Sequence, residues 1–113
     1  DNFGGQGIYN QTRIQRNDLN FEAYLYIMHL YNNTESFYKV GISKFPNKRK
    51  AFIIRDSGKN YSIDIVFQKH GHINDIFKLE QLLLSNNTRY IPIHKFGGHT
   101  ECIVSMPIIT DIA

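Results

Sequence analysis

The sequence predicts a small α/β sandwich of the α+β kind, with one sheet of three or four strands flanked by helices in the order β-β-α-β-α-β. Three observations predict it. Two runs rich in aromatic and aliphatic residues, around Tyr24–Tyr31 and Phe37–Ser43, flank an Asn-Asn turn. Pro46 opens a basic, helix-like stretch immediately after the second run. A later stretch, Ile73–Leu84, gathers its apolar residues on one face when 100° is assigned to each residue. The chain of 113 residues is one domain's worth of sequence.

Residues 1–20 are rich in Gly, Asn and Gln with little periodicity, and read as an arm or linker before a domain at 21–113. Ala23–Tyr31 is the first expected strand and Phe37–Ser43 the second. Asn32-Asn33-Thr34-Glu35 turns the chain between them into an antiparallel hairpin. Pro46–Asp56 is the first expected helix, stopped by Ser57-Gly58-Lys59-Asn60. Tyr61–Lys69 alternates around Ile63, Ile65 and Phe67, as a third strand does. His70-Gly71-His72 reads as a loop and Asn74–Ser85 as the second helix. Glu101–Met106, after the Gly97-Gly98 turn, reads as a last short strand.

Apolar residues make up 42% of the chain, which excludes a disordered polyelectrolyte. No apolar run reaches the ~18 residues of a membrane helix, so no membrane partner is expected. There is no initiator Met, and the chain reads as fused to or cut from a longer protein. Cys102 is the only cysteine, so no internal disulfide forms. That makes a reducing, intracellular setting the default expectation, cytoplasmic or nucleoid/nuclear. The formal charge is +3. Its placement says more: Lys39, Lys44, Lys48, Arg49, Lys50, Arg55 and Lys59 lie in one stretch whose only acid is Asp56. Such a stretch suits a polyanion, and equally a solvated helix face.

Glu80 breaks the pattern of the second helix. It sits in the middle of the face made by Ile73, Ile76, Phe77, Leu83 and Leu84, where an apolar residue belongs. A buried carboxylate needs a cation, a metal or water beside it. A buried ion pair, or a place at the rim of that face, would satisfy it too. If Leu25, Ile27, Val40 and Ile42 face the core, alternation turns Tyr26, Lys39 and Gly41 outward together. Gly41 would then let a ligand approach the backbone closely. Arg49 follows on the first helix. A tyrosine, a lysine, an arginine and a metal-capable glutamate can together position a phosphodiester and offset its charge. His70, His72 and His94 are scattered and are not read as metal ligands.

In these residues the chain resembles the GIY-YIG nuclease family, and in particular its phage-type branch. Tyr24-Leu25-Tyr26 matches the first signature element and Lys39-Val40-Gly41 the second, with 12 residues between Tyr26 and Lys39. Arg49 follows Gly41 by eight residues, as the family arginine does. Glu80 fits the helical metal-binding glutamate. Gly97-Gly98-His99-Thr100-Glu101-Cys102 is similar to the Gly-x-Thr-Glu-aromatic ending of that branch. The literal Gly7-Ile8-Tyr9 is a coincidence, too far before Lys39 for a hairpin. Three positions depart from the family pattern: Tyr24 stands at its glycine, Ile53 at a frequent histidine and Pro92 at an asparagine.

The resemblance implies a metal-dependent endonuclease that hydrolyses nucleic-acid phosphodiester bonds, in DNA more readily than RNA. Tyr26, Lys39, Arg49 and Glu80 would be its catalytic residues. Glu80 would hold Mg²⁺, or Mn²⁺, with waters retained. Tyr26 would orient or deprotonate the attacking water. Free phenols ionise only near pH ~10, and Lys39 would supply the needed cation. Arg49 would stabilise charge on the phosphate. Tyr24, Gly41, Lys44, Lys48, Lys50 and Arg55 would contact the nucleic acid. Cutting both strands would need a homodimer or repeated engagement. The alternative is a catalytically inactive relative that binds nucleic acid through its basic helix. A third reading is a protein-interaction domain that uses the aromatic hairpin.

Overall fold

The structure, a computed structural model, describes residues 20–107. All but one residue of the expected arm, 1–20, therefore lie outside the described residues. Strand β1 (Glu22–Tyr31) and strand β2 (Ser36–Ser43) form the expected hairpin. Asn32 closes it, its Oδ1 accepting from the backbone N–H of Thr34 at 2.8 Å and of Glu35 at 2.9 Å. Helix α1 spans Pro46–Asp56, strand β3 Ser62–His72, helix α2 Ile73–Asn86 and strand β4 Cys102–Ile103. The element order is the one read from the sequence. The four strands make one antiparallel sheet in the order β3-β1-β2-β4.

Two boundaries differ from expectation. His70-Gly71-His72 is strand rather than loop, because β1 continues alongside it: Tyr24 pairs with His70, Ala23 with Gly71 and Glu22 with His72. Ladder hydrogen bonds with a neighbouring strand thus override the turn propensity of His-Gly-His. The last strand is only Cys102–Ile103, shorter than Glu101–Met106. It pairs with Tyr38 and Lys39 on one side, and Arg89 bridges to Ile103 on the other.

Alternation divides β1 and β2 between two cores. Leu25, Ile27, Val40 and Ile42 pack with Ile73, Ile76, Leu83 and Leu84 of α2. Tyr26, Met28, Leu30 and Phe37 pack on the opposite face with Ile53 of α1, Tyr61, Ile63 and Phe96. The β1–β3 ladder shifts register between Ile27 and Met28, whose partners are Phe67 and Ile65, so Val66 is the extra residue of a bulge. Helix α1 ends where Gly58 and Lys59 both take positive φ, 72° and 61°. Helix α2 begins on His72, whose Nδ1 accepts from the Asn74 N–H at 3.2 Å.

A carboxylate ties the hairpin turn to the segment after α2. Glu35 is buried and accepts hydrogen bonds from the phenols of Tyr61 and Tyr90, and from the Ile93 N–H at 3.3 Å. Burial pushes the Glu35 carboxyl up, but these donors outweigh it and hold it below the usual carboxylate range. Nothing in the sequence signals this role, since Glu35 reads there as a turn residue whose partners lie far along the chain. Glu35→Ala orphans three donors and is expected to cost on the order of 2–3 kcal/mol in urea unfolding. Because the folded-state value is depressed, the contribution of Glu35 is present at neutral pH and is lost as pH falls below the ordinary glutamate range.

Candidate functional site

The site begins with strand alternation. Tyr26 pairs directly with Gly41 across the β1–β2 ladder, and Lys39 is two residues before Gly41 on the same face. The structure therefore brings Tyr26, Lys39 and Gly41 together. It does not turn them out to solvent, and that expectation is corrected. Tyr26 and Lys39 are each 1% exposed. Tyr26 belongs to the apolar core that Ile53 of α1 and Phe96 also line. The segment after Phe96 folds over Lys39 as well, so what looked like an open sheet face is roofed.

Gly41 also has a different role from the one expected. A Cβ there would lie 2.3 Å from Tyr26 Oη and 2.5 Å from its Cζ. The missing side chain makes room for the phenol of Tyr26, so no ligand occupies that space. Gly98, at φ 86°, lies over the other side of Lys39, where a Cβ would sit 2.7 Å from Lys39 Cε. Between these two glycines, Lys39 Nζ is 5.4 Å from the centre of the Tyr26 ring. It donates to Glu101 Oε1 at 3.3 Å and to the Val40 carbonyl at 3.4 Å. Burial alone lowers the proton affinity of Lys39. Tyr26, Glu101 and Cys102 raise it by more, against the push of Arg49, so the ammonium ends above the ordinary lysine range and is charged.

Arg49 reaches this cluster from α1. Its Nη2 donates to the Gly97 carbonyl at 3.2 Å, and its guanidinium lies 4.9 Å over the Phe52 ring. The Gly97 N–H donates in turn to Asp56 Oδ2 at 2.6 Å. Two residues of one helix thus hold both polar groups of Gly97 and fix the segment that covers Lys39.

Glu80 is where the sequence placed it, inside the apolar face of α2, and is 4% exposed. Its Oε1 accepts a hydrogen bond from Gln81 Nε2 at 3.3 Å. Burial first, and the Glu101 carboxylate second, push its carboxyl up to about 8, against the opposite pull of Lys39, Gln81 and Arg89. Glu101 therefore links the two halves of the site. It pairs with Lys39 and acts electrostatically on Glu80, while its own side chain is 38% exposed. From the sequence alone Glu101, in the terminal motif, reads as either a structural residue or a second acid near the site. Cys102, next to Lys39, is buried and its thiol is pushed up to about 12, so it stays protonated and unreactive.

The remaining candidates lie apart from this cluster. Tyr24 is half-buried against the His70 ring at 4.8 Å, and His70 Nε2 is 3.4 Å from Glu22 Oε1. Lys44, Lys48 and Arg55 are exposed and Lys50 is half-buried, all on α1 or its approach. Among the described residues no three His, Cys, Asp or Glu gather as a metal cage. The available donors for a metal are the carboxylates of Glu80 and Glu101. One or two carboxylates plus waters is the habit of Mg²⁺, so this donor set fits that ion. Among the described residues, no helix is long and apolar enough to cross a membrane.

No curated protein and no solved structure matches the chain. The T5orf172 domain matches residues 23–105, which takes in every strand from Ala23 onward, both helices, and Tyr26, Lys39, Arg49, Glu80 and Glu101. The chain belongs to the T5orf172 domain family, a phage-associated domain of endonuclease type.

Proposed function

We propose that this domain is a metal-dependent endonuclease of the GIY-YIG kind, acting on DNA. One observation carries the reading: a buried, poorly hydrogen-bonded Glu80 is linked through Glu101 to a charged Lys39, with Tyr26 and Arg49 beside it. Burial disfavours the bare Glu80 carboxylate, and a cation beside it would supply charge compensation that the Gln81 hydrogen bond does not.

Glu80, with Glu101 as the solvent-facing second carboxylate, would hold Mg²⁺ or Mn²⁺, which supplies Lewis-acid stabilisation of the leaving oxygen. The chain's own groups do the rest. Tyr26 is held rigidly over Gly41; its oxygen orients the attacking water and, as the phenolate, takes the water's proton to become the phenol. Lys39 places a fixed positive charge beside that phenol. Arg49 uses one donor on the Gly97 carbonyl and keeps the other guanidinium N–H groups for phosphate oxygens. Water adds to phosphorus and the P–O bond to the leaving oxygen breaks, leaving a phosphomonoester and a free hydroxyl.

A second reading is favoured by the roofing of Tyr26 and Lys39, each 1% exposed. In it the domain binds nucleic acid through Lys44, Lys48, Lys50 and Arg55 and does not cut. A plasmid-nicking assay separates the two. The endonuclease reading expects nicked circles with Mg²⁺, none with excess EDTA, and a rate slower by at least about tenfold for Tyr26→Phe. Tight binding without nicking in either Mg²⁺ or Mn²⁺ would leave only the binding module.

A further inference from the structure

The corner between β2 and α1 carries an arrangement that hydrolysis does not use. Phe45 stands at the N-cap of α1 with no side-chain hydrogen bond, and it is 59% exposed. The buried Pro46 follows it and fixes the start of the helix. Lys48, one turn along, holds its Nζ 4.9 Å over the Phe45 ring. On the other side, Lys44 Nζ lies 4.4 Å over the ring of Phe21. Farther along α1, Arg49 and Arg55 lie 4.9 and 5.9 Å over Phe52. Each of the rings Phe21, Phe45 and Phe52 thus has at least one cation over it. Among the described residues, the ion pairs are Lys39–Glu101 and His70–Glu22, so no acid there pairs with Lys44, Lys48, Lys50 or Arg55.

These two features together specify a ligand chemistry. The ammonium of Lys48 over Phe45 and that of the neighbouring Lys44, neither with an acidic partner among the described residues, suit the phosphates of a polyanion. A duplex would be served by such cations alone, because its base faces are covered by their neighbours in the stack. The open phenyl face adds something only for a base that is unstacked. Arg49, four residues beyond Phe45, reaches Gly97 beside Lys39, so a strand lying on Phe45 is one helical turn from the proposed site.

We infer that Phe45, flanked by Lys44 and Lys48, is a stacking subsite for an unpaired base of single-stranded DNA. This deepens the proposed function and rests on its nucleic-acid half. The domain then engages single strands, or duplexes opened near the cut, in preference to continuous duplex.

The test is a low-salt titration of the full chain with a labelled single-stranded oligonucleotide and with its duplex. Phe45→Ala is expected to weaken single-strand binding roughly tenfold and duplex binding by less than about twofold. Lys48→Gln should weaken both and flatten the salt dependence of both. The chain contains no tryptophan, so Phe45→Trp introduces a single reporter. Its fluorescence should be quenched by the single strand, and its affinity should match or exceed the parent's. Equal losses for both DNAs, no loss in Phe45→Ala, or an unquenched reporter would overturn the stacking subsite while leaving DNA binding in place. Failure of the unmodified chain to bind either DNA would overturn the nucleic-acid reading itself, and the subsite with it. Because Phe45 and Lys48 are exposed, an unchanged melting curve is expected for all three variants.

Discussion

Glu80→Gln is expected to abolish Mg²⁺-dependent nicking, by at least about a hundredfold, while DNA affinity changes by less than about twofold. The same substitution should make the fold more stable above neutral pH. The Glu80 carboxyl is raised to about 8 in the folded chain by burial and by Glu101, against 4.5 for an ordinary glutamate. Between those values the folded state keeps a proton that the unfolded chain has released. Stability therefore falls as pH rises from about 4.5 toward 8, and levels off above that window. The loss is on the order of a few kcal/mol, after allowance for relaxation around a buried group. The amide of the variant does not titrate, so its melting temperature should stay level across the window in which the parent's declines. Mg²⁺ should restore part of the parent's stability at pH 8 and none of the variant's. A parent curve that is flat across the window would mean that the carboxylate is not strained, and equal Mg²⁺ effects on both proteins that it is not a metal ligand.

Gly41→Ala should lower stability by about 1–3 kcal/mol and slow nicking by at least about tenfold. The added carbon meets Tyr26 Oη at 2.3 Å and Cζ at 2.5 Å, in a strand pair fixed on both faces by packed cores. Real contacts cannot be that close, so either the phenol leaves its place or the strands part. Tyr26 has nowhere easy to go, being 1% exposed. The prediction can be sharpened with a double-mutant cycle. In a Tyr26→Leu background the clash with the ring disappears, so Gly41→Ala should cost much less there, giving a coupling of at least about 0.5 kcal/mol in urea unfolding. Additive losses, or a Gly41→Ala protein that unfolds like the parent, would show that the glycine is not there to seat the phenol.

Much of the fold was legible because local signals and tertiary packing agree. Pro46 and Gly58 bracket α1 at the residues expected, and the apolar alternation of β1 and β2 sets the hairpin register. Glu80 was legible as a carboxylate out of place, and it is indeed buried. Alternation also put Tyr26, Lys39 and Gly41 on one face. It could not reveal that α1 and the Phe96–Gly98 segment cover that face, because this depends on how a distant loop is pinned. The pins are Arg49 and Asp56 on Gly97, 48 and 41 residues away in sequence. Glu35 was invisible for the same reason, with phenol partners 26 and 55 residues away. Strand β3 ran on through His70–His72 because pairing with β1 decided its end, and pairing has no local signature.

The bulge at Val66 bears on how copies of this domain can meet. β3 is the outermost strand on its side of the sheet, and among the described residues nothing pairs with its far edge. An unpaired edge ordinarily invites a second chain to extend the ladder. Here the extra residue breaks the even spacing of N–H and C=O groups midway along the strand, and Asp64, Gln68 and Lys69 set polar and charged groups around it. A neighbour approaching in extended form would find two short, mismatched half-ladders in place of one long one. Growth by strand addition is thereby discouraged.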